Sequence, residues 1–206
     1  MTARAAATEA TRAKILACSH ALILEVSYEE LTLRSVAAHA GVSFQTVLRH
    51  FGTKDGLISA VAESSSAQEY ELRVARPGDP ADVASTLCNR YEEIADATTR
   101  WEALEDRVDA IAEGLRIARE GHRAWLTAMF AEALASLSVA ERHLVVAQLY
   151  VATDINSWRL LRRRLGYSAA ETTQVMTALI KGAITGRPTA RSRPRTKEEP
   201  DARKSH

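Results

Sequence analysis

The stretch that decides the fold, residues 32–57, reads TLRSVAAHAGVSFQTVLRHFGTKDGL. A short amphipathic segment ends at Gly41, and glycine permits the backbone conformation that a tight turn requires. Ser43 is a typical residue to stand before a helix, and helical spacing then continues from Phe44 to His50. The stretch therefore predicts two short helices joined by a tight turn, which is a helix-turn-helix.

Helical spacing of apolar residues continues on both sides of this stretch. Upstream, a first helix is predicted from Thr8 to Val26, with Thr8 as a candidate N-cap. Downstream, Thr53 is expected to cap a fourth helix. We therefore expect an N-terminal domain over residues 8–56, with the fourth helix, residues 54–75, connecting it to the rest of the chain.

The remainder of the chain also has helical patterns. The run Arg76-Pro77-Gly78-Asp79-Pro80 marks a break, in which Asp79 fits an N-cap and Pro80 a first-turn position. Three capping boxes are visible, Thr99 with Glu102, Ser138 with Glu141, and Ser168 with Glu171. The fold class is therefore all-α, with a second helical domain over residues 77–186 and helices near 81–97, 100–118, 122–136, 139–165 and 169–185.

The composition is that of an ordinary globular protein, with 46% hydrophobic and 26% charged residues among 206. The net charge is only +1, so any nucleic-acid contact requires a local concentration of basic residues. No apolar run approaches the roughly 18 residues of a membrane span, and no signal-peptide pattern is present, so we expect a cytoplasmic location without membrane association. Residues 187–206 are predicted to be a disordered basic tail, which could add weak attraction to phosphates.

The helix-turn-helix resembles the DNA-binding domain of the TetR family of transcriptional regulators. The residues that carry the resemblance are Thr32, Val36-Ala37, Ala40-Gly41-Val42-Ser43, Thr46, His50-Phe51 and Thr53-Lys54-Asp55-Gly56-Leu57. The resemblance implies an all-helical regulator that binds double-stranded operator DNA as a homodimer.

The second helix of the motif carries the candidate DNA contacts. Gln45 can form two hydrogen bonds with adenine, and Arg49 can contact guanine or phosphate. Lys54 and Thr53 lie at a helix N-terminus, where phosphate is attracted. The base- and phosphate-contacting positions that the resemblance implies are Phe44, Gln45, Thr46, Leu48, Arg49, His50 and Lys54, with Thr32, Arg34, Ser43 and Thr53 as further backbone contacts.

Three of these positions depart from the family's usual pattern. Leu48 stands where tyrosine is common, which removes one hydrogen bond to phosphate. Phe44 stands where a polar or basic residue is common, and it either touches a thymine methyl group or folds back towards Val47 and Leu48. Gln45 replaces a frequent glycine or alanine, and it is the best candidate for a base-reading side chain.

The last two long helices carry apolar stripes that are candidates for a homodimer interface. The resemblance implies the same interface, a four-helix bundle, although the stripes could instead pack within their own subunit. The residues are Leu144, Ala147, Val151, Ile155 and Trp158 on one helix, and Val175, Met176, Leu179, Ile180, Ala183 and Ile184 on the other.

Aromatic residues in the second domain indicate a ligand cavity, because such cavities are mostly apolar with a few placed polar groups. In the family that the motif resembles, a bound small molecule moves the two DNA-reading domains apart. The candidate ligand-binding residues are Tyr91, Trp125, Met129, Tyr150, Thr153, Asp154, Asn156 and Trp158. Each could instead be a core or dimer contact, and Asp154 could pair with Arg159 or Arg162.

The sequence therefore predicts a repressor that a small ligand releases from its operator. One alternative is an activator or a ligand-independent regulator of the same fold, and another is a helical enzyme or interaction module whose motif is only structural. We expect no catalytic residue, metal or cofactor, because no histidine has metal-site spacing and no phosphate loop or nucleophile motif is present. Cys18 and Cys88 are expected to be separate thiols.

Overall fold

The computed structural model describes residues 3–186, without the side chains of residues 66–68 and 70. These residues form ten α-helices and one π-helical turn, and the predicted tail lies outside them. The elements are α1 (Ala3–Glu25), α2 (Leu33–Ala40), α3 (Phe44–Phe51), α4 (Lys54–Leu72), α5 (Pro80–Glu102), α6 (Asp109–Met129), α7 (Ala131–Ala135), α8 (Val139–Thr153), α9 (Ile155–Arg159), the π-helical turn (Leu160–Arg164) and α10 (Ala169–Thr185).

The two helices of the helix-turn-helix begin at the capping residues that the sequence predicts. Thr32 caps α2 through a reciprocal pair of hydrogen bonds with Ser35, and Ser43 caps α3. Gly41 has φ 62°, the left-handed conformation that favours glycine. The buried residues Ile15, Leu16, Leu31, Val36, Ala37, Val47, Phe51 and Leu57 then hold α1 to α4 together.

The turn between α3 and α4 is tightly packed around Gly56. A Cβ atom at this position would lie 2.3 Å from the carbonyl oxygen of Phe51, closer than any side chain can approach. The hydroxyl of Thr53 accepts a hydrogen bond from the Gly56 N–H at 3.0 Å, which confirms Thr53 as the cap of α4. The first turn of α4 is therefore fixed relative to α3.

The second domain is built around α5, which packs on α10 at one end and on α1 at the other. The polypeptide enters α5 through Asp79, whose carboxylate accepts hydrogen bonds from the first two N–H groups that follow Pro80. The connecting helix α4 lies along α6, where Gly114 approaches Ala62 closely. A single core of buried residues from α5, α6, α8, α9 and α10 holds the domain together.

Two predicted helix starts are wrong. The helix α1 begins at Ala3, and the Thr8 hydroxyl lies inside it, where it donates to the carbonyl of Arg4. The predicted capping box at Thr99 does not form, because α5 continues to Glu102 and the Thr99 hydroxyl donates to Ala95 at 2.7 Å. A threonine hydroxyl that is satisfied within its own helix leaves the next turn free to continue.

The predicted helices at 100–118 and 122–136 are also wrong, because one helix, α6, covers most of this stretch. Gly121 lies inside α6 rather than at its end. Glycine in a helix interior costs only about 1 kcal/mol, and the buried side chains of His122, Trp125 and Leu126 pack on the same helix. Burial of that face outweighs the weak local signal of the glycine.

The predicted single helix at 139–165 is broken at Asp154. This residue is extended, with ψ 142°, and its carboxylate accepts a hydrogen bond from the Asn156 N–H at 2.8 Å, which caps α9. The Tyr91 hydroxyl of α5 donates to the carbonyl of Thr153 at 2.7 Å, so the last carbonyl of α8 is satisfied. The break is thus stabilised by a side chain from another helix, and Asp154 has a structural role as an N-cap. Helix α10, in contrast, has the predicted bounds.

Candidate DNA-binding surface and ligand cavity

The outer face of α3 is available for DNA. Val47 is fully buried and Phe51 nearly so, and together they anchor α3 to the domain. Gln45 and Arg49 are exposed on the other side, and Leu48 is half-buried. The structure therefore presents the two strongest candidate base-reading side chains on one solvent-facing surface.

Phe44 and Arg34 lie together at the start of α3. The guanidinium carbon of Arg34 is 4.7 Å from the centre of the Phe44 ring, a cation–π contact. Phe44 itself is half-buried against the core of the domain. The ring is therefore covered by a basic residue, an arrangement that neither of the two sequence-based alternatives for Phe44 includes, and positive charge is placed beside the N-terminus of α3.

The hydroxyl groups predicted to contact the DNA backbone are engaged in capping. The Ser43 hydroxyl accepts from the Thr46 N–H at 3.1 Å and lies 2.8 Å from the Thr46 hydroxyl. The Thr32 hydroxyl accepts from the Ser35 N–H at 3.0 Å. Their evident contribution is to fix α2 and α3, whose N-termini attract phosphate through the helix dipole.

Lys54 does not point freely into solvent. Its ammonium nitrogen lies 3.3 Å from the centre of the Tyr28 ring and donates a hydrogen bond to the Tyr28 carbonyl. Burial lowers the pKa of Lys54, while Glu29 and Asp55 oppose that shift. The Tyr28 ring in turn lies nearly perpendicular to the ring of Trp101 of α5, with ring centres 5.8 Å apart. The predicted phosphate-binding lysine is therefore held by a contact that reaches the second domain.

The Nε2 side of the His50 ring is turned inwards. His50 is half-buried beside Phe51, and its Nε2 atom is buried without a hydrogen-bond partner in the part of the chain that the structure describes. The inward position follows from the end of α3, where the helix turns back to the core at Phe51 and Gly52.

The first helix supplies basic residues that sequence reasoning missed. Lys14 lies beside the Gly41 turn, since a Cβ at Gly41 would be 3.8 Å from its Nζ atom. The guanidinium carbon of Arg12 is 5.7 Å from the centre of the Phe51 ring. The signal that could have found them is the presence of basic residues in the helix next to the motif, in a chain whose net charge is only +1.

A cavity of about 280 Å³ lies between α1, α4, α5, α6 and the break that separates α8 from α9. Four of the eight predicted ligand-binding residues line it: Tyr91, Tyr150, Asp154 and Asn156. The other four, Trp125, Met129, Thr153 and Trp158, are not among the lining residues and lie in the surrounding packing. The remaining lining residues are His20, Leu24, Ala62, Ser65, Glu69, Arg73, Arg90, Ile94, Thr98, Glu102, Gly114, Leu115, Ala118, Arg119, His122 and Ile155.

One wall of the cavity is a polar network centred on His122. Arg73 donates to the His122 Nδ1 atom at 2.8 Å, and because arginine can only donate, this nitrogen is the acceptor. The His122 Nε2–H then donates to the Thr153 hydroxyl at 2.9 Å, which donates onwards to the Leu149 carbonyl. Burial and then the charge of Arg73 lower the pKa of His122 to about 3. The imidazole is therefore neutral.

Sequence reasoning missed the charged residues of the cavity, because exposed and buried charges look alike in a sequence. A weak signal exists in His20, which falls on the apolar stripe of α1, and in His122, which falls on the apolar face of α6. Arg73 and Arg90 carry no such signal. Their side chains are 9% and 14% exposed because both donate to Glu69, at 3.1 and 2.9 Å.

The cavity adjoins the DNA-binding domain directly. His20 and Leu24 of α1 are part of its wall. The last turns of α5 hold the same segment of α1, since Arg100 donates to the Leu24 carbonyl at 2.8 Å and Trp101 donates to the Ile23 carbonyl at 2.9 Å. Thr98 and Glu102, in the same turns of α5, line the cavity.

The predicted dimer stripes divide into buried and exposed parts. Trp158, Met176 and Ile180 are fully buried within their own subunit. In contrast, Val151 of α8 is 65% exposed and Leu179 of α10 is 50% exposed. Leu144 of α8 is also exposed. These three residues, named here the α8–α10 apolar face, are large apolar side chains without a covering element in the described chain.

The two cysteines do not form a pair. Cys88 is buried with its sulfur 3.4 Å from that of Met176, and Cys18 is half-buried in the first domain. Between residues 3 and 186, no three histidine, cysteine, aspartate or glutamate side chains are grouped in a way that could hold a metal ion. Over the same range no helix is both long and apolar enough to span a membrane.

Comparison with known proteins agrees with this geometry. Residues 15–61 match the sequence profile of the bacterial regulatory proteins of the tetR family. A search of curated protein sequences finds no match. The structure is similar to that of a candidate transcriptional regulator from Pseudomonas aeruginosa PAO1, with a TM-score of 0.63 and 16% identity over 84% of this chain and 90% of that chain.

The matched residues run from the middle of α1 into α4 and contain the whole helix-turn-helix, so the class of protein is a helix-turn-helix DNA-binding regulator. Residues 15–61 form a DNA-binding domain of the kind found in the tetR family of bacterial regulatory proteins. The structural neighbour supports the same all-helical fold for the rest of the chain.

Proposed function

We propose that the protein is a homodimeric transcriptional repressor that binds a palindromic operator and is released from it by a small ligand. The observation that carries this proposal is the shared wall of the cavity and the DNA-binding domain. His20 and Leu24 belong to α1 and also line the cavity, so a ligand there would touch the DNA-binding domain itself. A cytoplasmic location follows from this role.

The DNA-reading role rests on the exposed face of α3. Gln45 and Arg49 are the side chains placed to contact base edges, while Arg34 and the helix N-termini contribute phosphate contacts. One short helix offers few base contacts, and a two-fold dimer doubles them. Half-sites are then expected about 34–36 Å apart or at a multiple of that spacing.

The α8–α10 apolar face supports the dimer. Leu144, Val151 and Leu179 are exposed on the two helices that pack against each other in the second domain. Covering such residues with the same face of a second subunit would remove apolar surface from water, which is the main favourable contribution to association.

Release by a ligand requires that the ligand bind the DNA-incompetent arrangement more tightly than the competent one. A ligand in the cavity would contact α1, α4, α5 and α6 together, because all four helices contribute to the wall, and it could therefore change their relative positions. A ligand that moved α5 relative to α1 would act on the carbonyls of Ile23 and Leu24, which Trp101 and Arg100 hold.

The test is fluorescence anisotropy with DNA from upstream of the protein's own gene, followed by transcription from that DNA in vitro. Gln45→Ala and Arg49→Ala should each weaken binding, while Arg116→Ala, which removes an exposed arginine of α6, should not. Binding that reduces transcription supports a repressor, and binding that increases it indicates an activator. If neither α3 variant changed binding, α3 would not be the reading helix, and a structural motif in a protein of another class would be favoured.

A further inference from the structure

We propose that the ligand of the cavity is a compact amphipathic organic cation, whose charged amine lies beside Glu102 and Asp154 while its apolar body lies against Ile94 and Leu115. This inference rests on the proposed function, which makes the cavity a ligand site. The distribution of charge around the cavity indicates the chemical class of the ligand.

At one end of the cavity the charges are balanced. The guanidinium groups of Arg73 and Arg90 both bind the carboxylate of Glu69, and Arg90 also binds Glu93 at 2.7 Å. Two arginines thus face two carboxylates, and a further N–H group of Arg73 donates a hydrogen bond to His122. This end therefore offers little uncompensated positive charge to an anionic ligand.

The two imidazoles of the cavity add no positive charge near neutral pH. Burial and the charge of Arg73 lower the pKa of His122 to about 3. Burial and then the charge of Arg90 lower the pKa of His20 below its ordinary value, although Glu69 opposes that shift. A cationic ligand would therefore meet neutral rings at these positions.

At the other end, carboxylates outnumber the basic groups that face them. Glu102 and Asp154 line the cavity. Arg119 directs both terminal nitrogens of its guanidinium to Glu105, and Arg159 lies 3.9 Å from Glu102, a long separation for an ion pair. Of the charged residues that line this end, Glu102 and Asp154 are acidic and only Arg119, which is held by Glu105, is basic.

The nearest donors are also partly used elsewhere. Arg159 donates to the side-chain oxygen of Asn156 at 2.9 Å. Arg123, whose charge acts on Tyr150, is exposed on the outer side of α6 and is not part of the cavity wall. Burial, followed by the charge of Asp154, raises the pKa of Glu102. A cation bound between Glu102 and Asp154 would favour the charged form of Glu102 and would therefore lower its pKa, which is opposite to the effect of Asp154.

The rest of the wall suits an apolar or aromatic body. Leu24, Ile94, Leu115 and Ile155 contribute aliphatic surface. The ring of Tyr150 lies at a steep angle to that of His122, with ring centres 5.2 Å apart, and adds aromatic surface to the wall that also contains Asp154. The volume of about 280 Å³ is near the lower end of ligand pockets, so the ligand is expected to be compact.

Three probes with one apolar body separate the charge classes: 4-phenylbutylamine, 4-phenylbutan-1-ol and 4-phenylbutyrate. Binding to the full chain is measured by calorimetry and by the shift in Tm. The amine is expected to bind at least about tenfold more tightly than the alcohol or the acid. Equal binding of all three, tighter binding of the acid, or no binding of the amine would overturn the assignment of a cation.

Charge-removing variants locate the site. Glu102→Gln and Asp154→Asn are each expected to weaken amine binding about tenfold and to leave alcohol binding unchanged. Asparagine is as good an N-cap as aspartate, so Asp154→Asn tests charge without removing the cap of α9. Glu113→Gln, at an exposed carboxylate of α6, is the matched control. Amine binding that is unchanged in both cavity variants would contradict the proposed position.

Operator binding distinguishes this inference from the proposed function. If the free protein binds the operator but shows no preference for the amine, the ligand class is wrong and the DNA-binding proposal stands. If the amine binds in the cavity with the expected dependence on Glu102 but does not change operator affinity, the ligand class stands and release by ligand is wrong.

Discussion

The ammonium nitrogen of Lys54 lies 3.3 Å above the ring of Tyr28, a residue of the loop between α1 and α2. The same ring lies nearly perpendicular to the ring of Trp101 of α5. Lys54 is therefore positioned by two aromatic residues that come from different domains. A phosphate contact from Lys54 would depend on this packing, and a movement of α5 would change it.

Lys54→Ala is expected to weaken binding to all DNA sequences by a similar factor. The loss of one phosphate contact should also reduce the slope of log affinity against log salt by about 1. Anisotropy titrations over a range of salt concentrations measure both effects, with Lys181→Ala on α10 as the control. An unchanged salt slope would show that Lys54 remains on Tyr28 in the DNA complex.

Trp101→Phe is expected to reduce the effect of a ligand on operator binding. The substitution keeps an aromatic ring next to Tyr28 but removes the hydrogen bond to the Ile23 carbonyl, which measures 2.9 Å. The measurement is the ratio of operator affinities with and without the bound ligand, which should fall in the variant while affinity without ligand stays within about twofold. A ratio equal to that of the unmodified protein would exclude this contact from the coupling.

Gly56→Ala is expected to destabilise the DNA-binding domain. The new Cβ would lie 2.3 Å from a backbone oxygen of Phe51, so the turn between α3 and α4 has to shift. A loss of about 2 kcal/mol or more in the free energy of unfolding is expected. Glu63→Ala, at an exposed position of the same helix α4, is the control and should change the stability by no more than about 0.5 kcal/mol. Denaturant titration measures both variants, and equal stabilities would contradict the expected clash.

Stability is expected to fall in mild acid because of His122. The folded pKa is about 3 and the ordinary value is 6.5, so the unfolded chain binds the extra proton first as pH falls below 6.5. Between pH 7 and pH 5 this residue alone should remove about 2 kcal/mol of stability. The smaller downward shift at His20 acts in the same direction.

The comparison of His122→Gln with the unmodified protein isolates this contribution. Denaturant titrations at several pH values between 5 and 7 should show a shallower dependence of stability on pH in His122→Gln. His143→Gln, which removes an exposed histidine of α8, should keep the full dependence. Parallel curves for His122→Gln and the unmodified protein would mean that His122 takes up its proton in the folded state.

Val151→Glu is expected to shift the protein from dimer to monomer. Val151 is 65% exposed in the subunit, and burial of a carboxylate opposite its own copy in a two-fold interface is costly. Analytical ultracentrifugation measures the change, and Val74→Glu, at an exposed valine outside α8 and α10, is the control. A dimer that persists in Val151→Glu would place the interface on another surface.

The helix-turn-helix could be predicted from the sequence because its determinants are local. Thr32 and Ser43 cap the helices that directly follow them, and Gly41 needs only its own backbone freedom. The break at Asp154 could not be predicted, because the hydroxyl that binds the last carbonyl of α8, that of Thr153, belongs to Tyr91, 62 positions earlier in the chain. Local sequence signals do not specify which distant side chain will meet a helix end.

The cavity was only partly predictable for the same reason. Polar residues within an apolar helix pointed to Asp154 and Asn156, and both line it. Arg73 and Arg90 have the sequence character of ordinary surface residues, and only the packing of α4 against its neighbours turns them inwards around Glu69. The contact between Lys54 and Tyr28, 26 positions apart, also depends on tertiary packing.

The 23 residues of α5 join the three functional regions of the molecule in one unbroken rod, about 34 Å long at 1.5 Å per residue. Cys88 meets Met176 of α10, Tyr91 lines the cavity, and Trp101 holds α1. Because substitutions in contact with one rigid element are not energetically independent, their effects on association, ligand preference and DNA affinity should be non-additive. During evolution, a substitution that changes the ligand preference must therefore also preserve the packing of α5 on α1. This requirement reduces the number of mutational paths by which the protein could acquire a new ligand.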